Sequence, residues 1–224
     1  MNKWYETQEP KPKSPEREAE LRLEAVKLWD ESVGLAGTLG ERYLTARKVW
    51  RPEWLGSVRW NERTRSLVSR AMNGNGVLTG VQSTPLSVDG FTRVGKRTMT
   101  GRIKGSIVRL GVEGLPLPRV VVGEGVETVL SAMILLGQSQ GVACLGAQFM
   151  RHIPLASRWT HLTIAGDHDI PGGECVADLV GRLQREGGHL YKVVVPDMVG
   201  YDFNDILTSQ EGKSGTYRVV RTDR

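Results

Sequence analysis

The chain has 224 residues, 39% hydrophobic and 25% charged, with a formal net charge of +5 at pH 7 and a pI near 9.4. That length holds one α/β domain plus a smaller unit. There is no apolar run of about eighteen residues, and the stretch from Met1 to Glu20 is polar and charged. These features exclude a spanning helix and a secretory leader, so a cytoplasmic setting without membrane partners is expected.

Met1 to Pro15 is polar and carries Pro10, Pro12 and Pro15, which reads as a flexible tail over residues 1–15. Leu21, Leu23, Val26, Leu28 and Trp29 predict a helix from Glu16 to about Ser32, and Arg42 to Arg47 a second short one before Pro52. Between Val58 and Leu110 the texture changes. Val77 to Gln82 and Ser106 to Leu110 read as strands, with Asn73-Gly74-Asn75-Gly76 and Asp89-Gly90 as turns. Residues 16–117 are therefore expected to form a basic α+β subdomain with a small antiparallel sheet.

After Pro118 the rhythm is strand, helix, strand. Val120 to Gly123, Gly141 to Leu145, Leu162 to Ala165 and Tyr191 to Val195 read as strands; Val126 to Leu136 and about Gly173 to Glu186 read as helices. Short apolar strands alternating with helices imply a parallel sheet flanked by helices over residues 118–210, with 211–224 left as a C-terminal tail.

Two of these strands end in acids. Val120 to Gly123 delivers Glu124, and Leu162 to Ala165 delivers Asp167 and Asp169. The C-terminal edge of a parallel sheet is where ligands bind. Asp167 and Asp169 alternate on an extended segment and project the same way. Carboxylates this close repel unless a cation sits between them, so Glu124, Asp167 and Asp169 read as a site for Mg²⁺ (or Mn²⁺); a solvated acidic turn is the bland alternative. Glu127 suits either this site or the positive end of the following helix. Asp202 and Asp205 read either as a helix cap with Phe203, Ile206 and Leu207 packing inward, or as further metal ligands.

Basic residues precede the acidic sheet. Arg97, Arg102, Lys104 and Arg109 are candidates to hold the phosphates of a nucleic acid or nucleotide, Arg102 and Lys104 sharing a strand face; an ordinary solvated face is the alternative. Trp54, Trp60 and Tyr43 either stack on bases or pack between the small domain and the tail. Cys144 and Cys175 form no paired spacing, so no zinc site or disulfide is expected.

Glu124-Gly125 after one strand and Asp167-x-Asp169-x-x-Gly172 after a later one resemble the Toprim domain of bacterial-type primases, topoisomerases and nucleases. Together with Glu41-Arg42-Tyr43-Leu44-x-x-Arg47, Gly123 to Ala132 and Asp202-Phe203-Asn204-Asp205, the chain resembles the primase-like Toprim proteins of phages, plasmids and integrated mobile elements over roughly residues 30–210. The resemblance implies a Toprim, Rossmann-like parallel sheet. It implies Asp167 and Asp169 as magnesium ligands, Glu124 in acid–base or metal chemistry, and primer synthesis from nucleoside triphosphates on a single-stranded DNA template. The zinc module usual in such primases has no ligands here, and no GxxxxGK[ST] phosphate loop is present. A helicase or a separate zinc-module partner is therefore implied. DNA cleavage, or non-catalytic binding to single-stranded DNA or a replisome, are the other functions the resemblance allows.

Overall fold

The computed structural model describes residues 14–112, 114, 118–209 and 216–222. Most of the expected N-terminal tail therefore lies outside the described residues. Helix α1, Pro15–Asp30, opens on a Ser14 cap with Pro15 in its first turn and Glu16 and Glu18 near its positive end. It buries Ala25 and Trp29 against Val68 and Val81. Helix α2, Leu39–Ala46, is capped by Thr38 and buries Tyr43 and Leu44.

Strands β1 (Val58–Asn61), β2 (Ser66–Met72), β3 (Leu78–Pro85) and β4 (Thr98–Gly101) make an antiparallel sheet in the order β1-β2-β3-β4. Only one of the two strands expected in this region, the one now called β3, belongs to it. The other is β5, Val108–Gly111, which leaves the small sheet and pairs antiparallel with β7, Gln140–Ala143. Met72 and Ile107 exchange backbone hydrogen bonds of 2.9 Å in each direction, stitching the two sheets together.

The second sheet has six strands in the order β10-β9-β8-β6-β7-β5. Its parallel centre is β6 (Arg119–Gly123), β7, β8 (His161–Ala165) and β9 (Leu190–Pro196). Strand β10, Tyr217–Thr222, pairs antiparallel with β9, so part of the segment expected as a tail is an edge strand. Alternation along β6 sends Val121 to one core and Val120 and Val122 to the other. The first core contains helix α3 (Val126–Leu135), helix α5 (Phe203–Thr208) and the α2 and small-sheet residues Tyr43, Leu44 and Leu67. The second contains helix α4 (Ile170–Glu186) and the 3-10 turn Ala147–His152. The result is a mixed α/β fold, a parallel sheet covered by helices on both faces with the smaller sheet docked on one of them. Among the described residues no helix is long and apolar enough to cross a membrane.

Two expectations about the elements change. Helix α4 begins at Ile170, not Gly173, because Pro171 sits in its first turn, where a missing N–H costs nothing. Trp60 is fully buried and its backbone pairs with Val33, so it packs and has no face for a base. Trp60→Ala is expected to cost about 3–5 kcal/mol, the usual loss for emptying a buried aromatic site, read from the urea unfolding midpoint.

Candidate functional site

Strand order fixes the site. Strand β6 has β7 on one side and β8 on the other. The chain reverses direction across β6, and the crevice lies outside the C-terminal ends of these strands. Gly123 and Ala165 are paired in register, so Glu124 and Gly166 leave adjacent strands side by side and Asp167 follows one residue on. Gly123 has no room for a side chain: a Cβ there would lie 2.9 Å from Val129 Cγ2 and 3.2 Å from the Ala165 carbonyl. Helix α3 is thereby held hard against the strand that carries Glu124.

The third acidic segment is tied in by backbone bonds. The His168 N–H donates to the Tyr201 carbonyl at 3.1 Å, and the Gly200 N–H donates to the His168 carbonyl at 2.8 Å. Asp202 and Asp205 thus border the same edge, and both carboxylates act on Asp167 electrostatically.

The charges there are heavily one-sided. Burial pushes the Asp167 carboxyl up to about 7, and the charges of Glu124, Asp202, Asp169 and Asp205 push in the same direction. Its Oδ1 is buried without a hydrogen-bond partner. Glu124 is also raised, first by burial and then by Asp169 and Asp202, with Arg97 and the Ala147 backbone N–H partly offsetting them. Asp202 is raised, chiefly by burial.

Several carboxylates, however, have a structural duty. Asp169 caps α4, its Oδ1 accepting from the Gly172 N–H at 2.7 Å. A Cβ on Gly172 would lie 2.9 Å from both the Asp167 carbonyl and Asp169 Oδ1, so the motif's final position accepts only glycine. Asp202 and Asp205 form a capping box on α5: the Asp205 N–H donates to Asp202 Oδ1 at 2.8 Å, and the Asp202 N–H donates to Asp205 Oδ2 at 3.0 Å. The cap reading of this motif therefore describes its geometry, with Phe203 and Ile206 buried beneath it.

Among the described residues, no three Asp, Glu, His or Cys side chains are grouped to hold one ion. The expected three-carboxylate shell of Glu124, Asp167 and Asp169 is thus not assembled, and one oxygen of Asp169 is already engaged by α4. The donor set still fits Mg²⁺, which keeps several waters and takes only one or two carboxylates. The unpartnered Asp167 oxygen, surrounded by like charge, supplies the electrostatic demand.

Glu127, left open between two roles by its position, is a structural hub. The Tyr43 hydroxyl donates to Glu127 Oε2 at 2.9 Å. Arg97 Nη2 lies 3.4 Å from Oε1, and Arg47 Nε lies 3.5 Å from Oε2 as an ion pair without hydrogen-bond geometry. The Ser131 hydroxyl donates to the Glu127 carbonyl at 2.8 Å, and the Asn204 amide donates to Ser131 Oγ at 2.8 Å and to the Arg47 carbonyl at 2.9 Å. Proximity to Glu127 together with burial raises the Tyr43 phenol above its usual range. Glu127 and its Arg97 partner bring the N-terminal half to the carboxylates. The spacing of Tyr43 on α2 and Arg47 at its C-cap, four residues apart, was the available signal for this contact.

The other basic candidates stand apart from Glu127. Arg102 and Lys104 are exposed on either side of buried Ile103, but in a loop beyond β4 rather than on a strand, with Arg102 Nε donating to the Lys104 carbonyl at 3.3 Å. Arg109 lies on β5 in a separate cleft with Arg70 and Arg158. Two features were not anticipated. Leu145 has a φ of +62°, unusual for a branched side chain; its N–H donates to the Glu124 carbonyl at 2.8 Å and its carbonyl accepts from Gln82 Nε2 at 3.2 Å. Arg218, on the unexpected strand β10, lies 3.5 Å from His168 Nε2, between the two aspartates in sequence.

A Toprim family model matches residues 119–213, and a second model, a domain of unknown function (DUF7146), matches residues 19–110. Residues 119–213 are a Toprim domain. The chain is similar in fold to a DnaG primase catalytic domain bound to ssDNA, at 14% identity and TM-score 0.55, covering 89% of this chain and 80% of that one. It is similar to the zinc-binding and RNA polymerase domains of the Aquifex aeolicus primase, at 13% identity and TM-score 0.52, covering 85% of this chain and 58% of that one. A DNA primase domain from Pseudomonas aeruginosa aligns at 13% identity and TM-score 0.45, over 83% of this chain and 60% of that one. The chain thus spans about three-fifths of these last two primase chains. No curated protein matches it. The likeness extends through the small sheet as well as the Toprim domain, so both halves share the primase fold.

The raised Asp167 carboxyl sets a pH dependence. The folded protein keeps this proton up to about pH 7, whereas an unfolded chain releases it near pH ~3.9. The stabilisation is complete below the unfolded value and is lost as pH rises through the folded one. In metal-free buffer the melting temperature is expected to fall between about pH 5 and pH 8, Asp167→Asn to flatten the fall, and Mg²⁺ to restore the wild type alone at pH 8. Calorimetry at three pH values checks this; a flat wild-type profile contradicts it. Tyr43→Phe is expected to lower stability by about 1.5–3 kcal/mol, the range for a hydrogen bond to a charged group, measured by chemical denaturation.

Proposed function

We propose that the protein is a metal-dependent nucleotidyltransferase of the DNA primase type, building primers on single-stranded DNA from nucleoside triphosphates. The observation that carries this reading is Asp167, a buried carboxylate with an unpartnered oxygen at the C-terminal edge of a Toprim sheet. The DnaG domain of similar fold, bound to ssDNA, supports the choice of template.

On this reading Asp167 and the second oxygen of Asp169 would hold Mg²⁺, with its remaining positions filled by water. When bound, the ion stabilises charge on the transferred phosphoryl group. The chain's own residues do the rest. Glu124, its pKa raised by burial, takes the proton of the 3′-hydroxyl as that oxygen bonds to the α-phosphorus of the triphosphate and pyrophosphate departs. Arg97, fixed by Glu127 beside Glu124, meets the negative oxygens of the triphosphate. Asp202 and Asp205 hold α5 in place and add negative potential. Arg102 and Lys104 guide the template by its phosphates. A helicase or separate zinc-module protein supplies template selection, in replication of a phage or other mobile element.

The test is an extension assay with single-stranded DNA, labelled ribonucleotides and Mg²⁺ or Mn²⁺. New ribonucleotide-dependent products are expected, absent with Asp167→Asn and lowered by about 10²–10⁴ with Glu124→Gln, the usual range for a lost general base. Shortening of labelled DNA without synthesis would instead indicate a Toprim nuclease. Binding without any product under either metal, alone or with a helicase, would indicate a non-catalytic module.

A further inference from the structure

Gln82 is a buried amide in the middle of the small sheet, 6% exposed, on β3 between Ser69 of β2 and Met99 of β4. It stands outside the acidic cluster, yet its side chain reaches out of its own sheet to that edge. Its Nε2 donates to the Leu145 carbonyl at 3.2 Å, across 63 positions of sequence. Leu145 lies two residues beyond the end of β7, at the same C-terminal edge of the parallel sheet as Glu124.

With its φ of +62°, Leu145 holds a backbone conformation that a branched side chain keeps only under constraint. Its surroundings supply the constraint. Its side chain is buried in the first core. Its N–H donates to the Glu124 carbonyl at 2.8 Å, beside the Cys144 N–H, which donates to the Gly123 carbonyl at 3.0 Å. Its carbonyl receives the Gln82 amide. Two residues on, the backbone N–H of Ala147 faces the Glu124 carboxylate and helps to offset its burial. Residues 144–147 therefore grip Glu124 at its backbone and at its acid group, and Gln82 fixes the peptide that lies between the two grips.

We propose that Gln82 is a positioning residue for Glu124, acting through the left-handed turn at Leu145. The role rests on Glu124 being the general base described above. Without the Gln82 amide the buried Leu145 carbonyl loses that donor. The strained peptide then relaxes, because such strain persists only where the surroundings over-determine it. Its rotation turns the Ala147 N–H away from the carboxylate. Glu124 stays at the end of β6, but its acid group no longer keeps one orientation. A general base must lie within hydrogen-bond reach of the proton it takes, so lost orientation is lost rate. Arg97 acts on Glu124 from the residue before β4, and β4 pairs with β3. The small sheet thus holds the base by two routes, Arg97 through charge and Gln82 through the backbone.

The test compares the full chain with Gln82→Met, which keeps the length of the side chain and removes its donor. Amide exchange is followed by NMR, and primer extension is timed in Mg²⁺. Exchange at the Leu145 and Ala147 amides is expected to quicken about tenfold, with the amides of β8 unchanged. In primer extension kcat is expected to fall about 10–100-fold, the loss for a displaced catalytic group, with KM for the triphosphate within about twofold of wild type. A merely structural amide would lower the melting temperature and leave the kcat of the folded protein intact. Should Gln82→Met fail to fold, Gln82→Asn, shorter by one methylene, is read in the same way. Wild-type exchange at both amides overturns the proposal, as does a wild-type kcat despite faster exchange. Faster exchange spread through β8 marks general loosening and overturns it too. Faster exchange confined to this turn, in a chain that makes no primer with either metal, supports the Gln82 link and refutes the polymerase reading alone.

Discussion

Glu127 is the contact on which the rest of the arrangement depends. It belongs to the helix that follows the strand bearing Glu124, yet its partners Tyr43, Arg47 and Arg97 all come from the N-terminal half. A carboxylate this buried needs compensation, and removing one partner of such a group costs more than the pair contributes. The two sheets therefore share a charge balance as well as an apolar core, and Arg97 reaches Glu124 because Glu127 holds it there. Without that pairing Glu124 would lose the guanidinium that offsets its burial.

The acids divide into those the fold uses and those it leaves unsatisfied. Asp169, Asp202 and Asp205 place oxygens on helix N-termini, where backbone N–H groups and the helix dipole accept negative charge. Asp167 receives no such help: its neighbours are acids, and one oxygen has no donor. A fold that caps two helices with the same residues that ring Asp167 gains rigidity and concentrates negative potential on one atom. A divalent cation resolves that conflict with few protein ligands, because it brings its own water.

Most of the parallel sheet was legible in the sequence because its strands are buried on both faces and read as plain apolar runs ending in glycine. The acids at their ends were legible for the same reason. Strand β2 was not: Ser66, Ser69 and Arg70 interrupt its apolar residues, although the strand is almost wholly buried. Ser66 is accommodated by its own turn, its hydroxyl donating to the Thr64 carbonyl at 2.9 Å. Strand β10 has the opposite difficulty, since every residue in it is exposed and only pairing with β9 defines it. The start of α4 lies three residues ahead of the expected Gly173, with Pro171 in its first turn. The capping box of Asp202 and Asp205 was visible as a motif, but its structural and ligand roles are distinguished only by hydrogen-bond geometry.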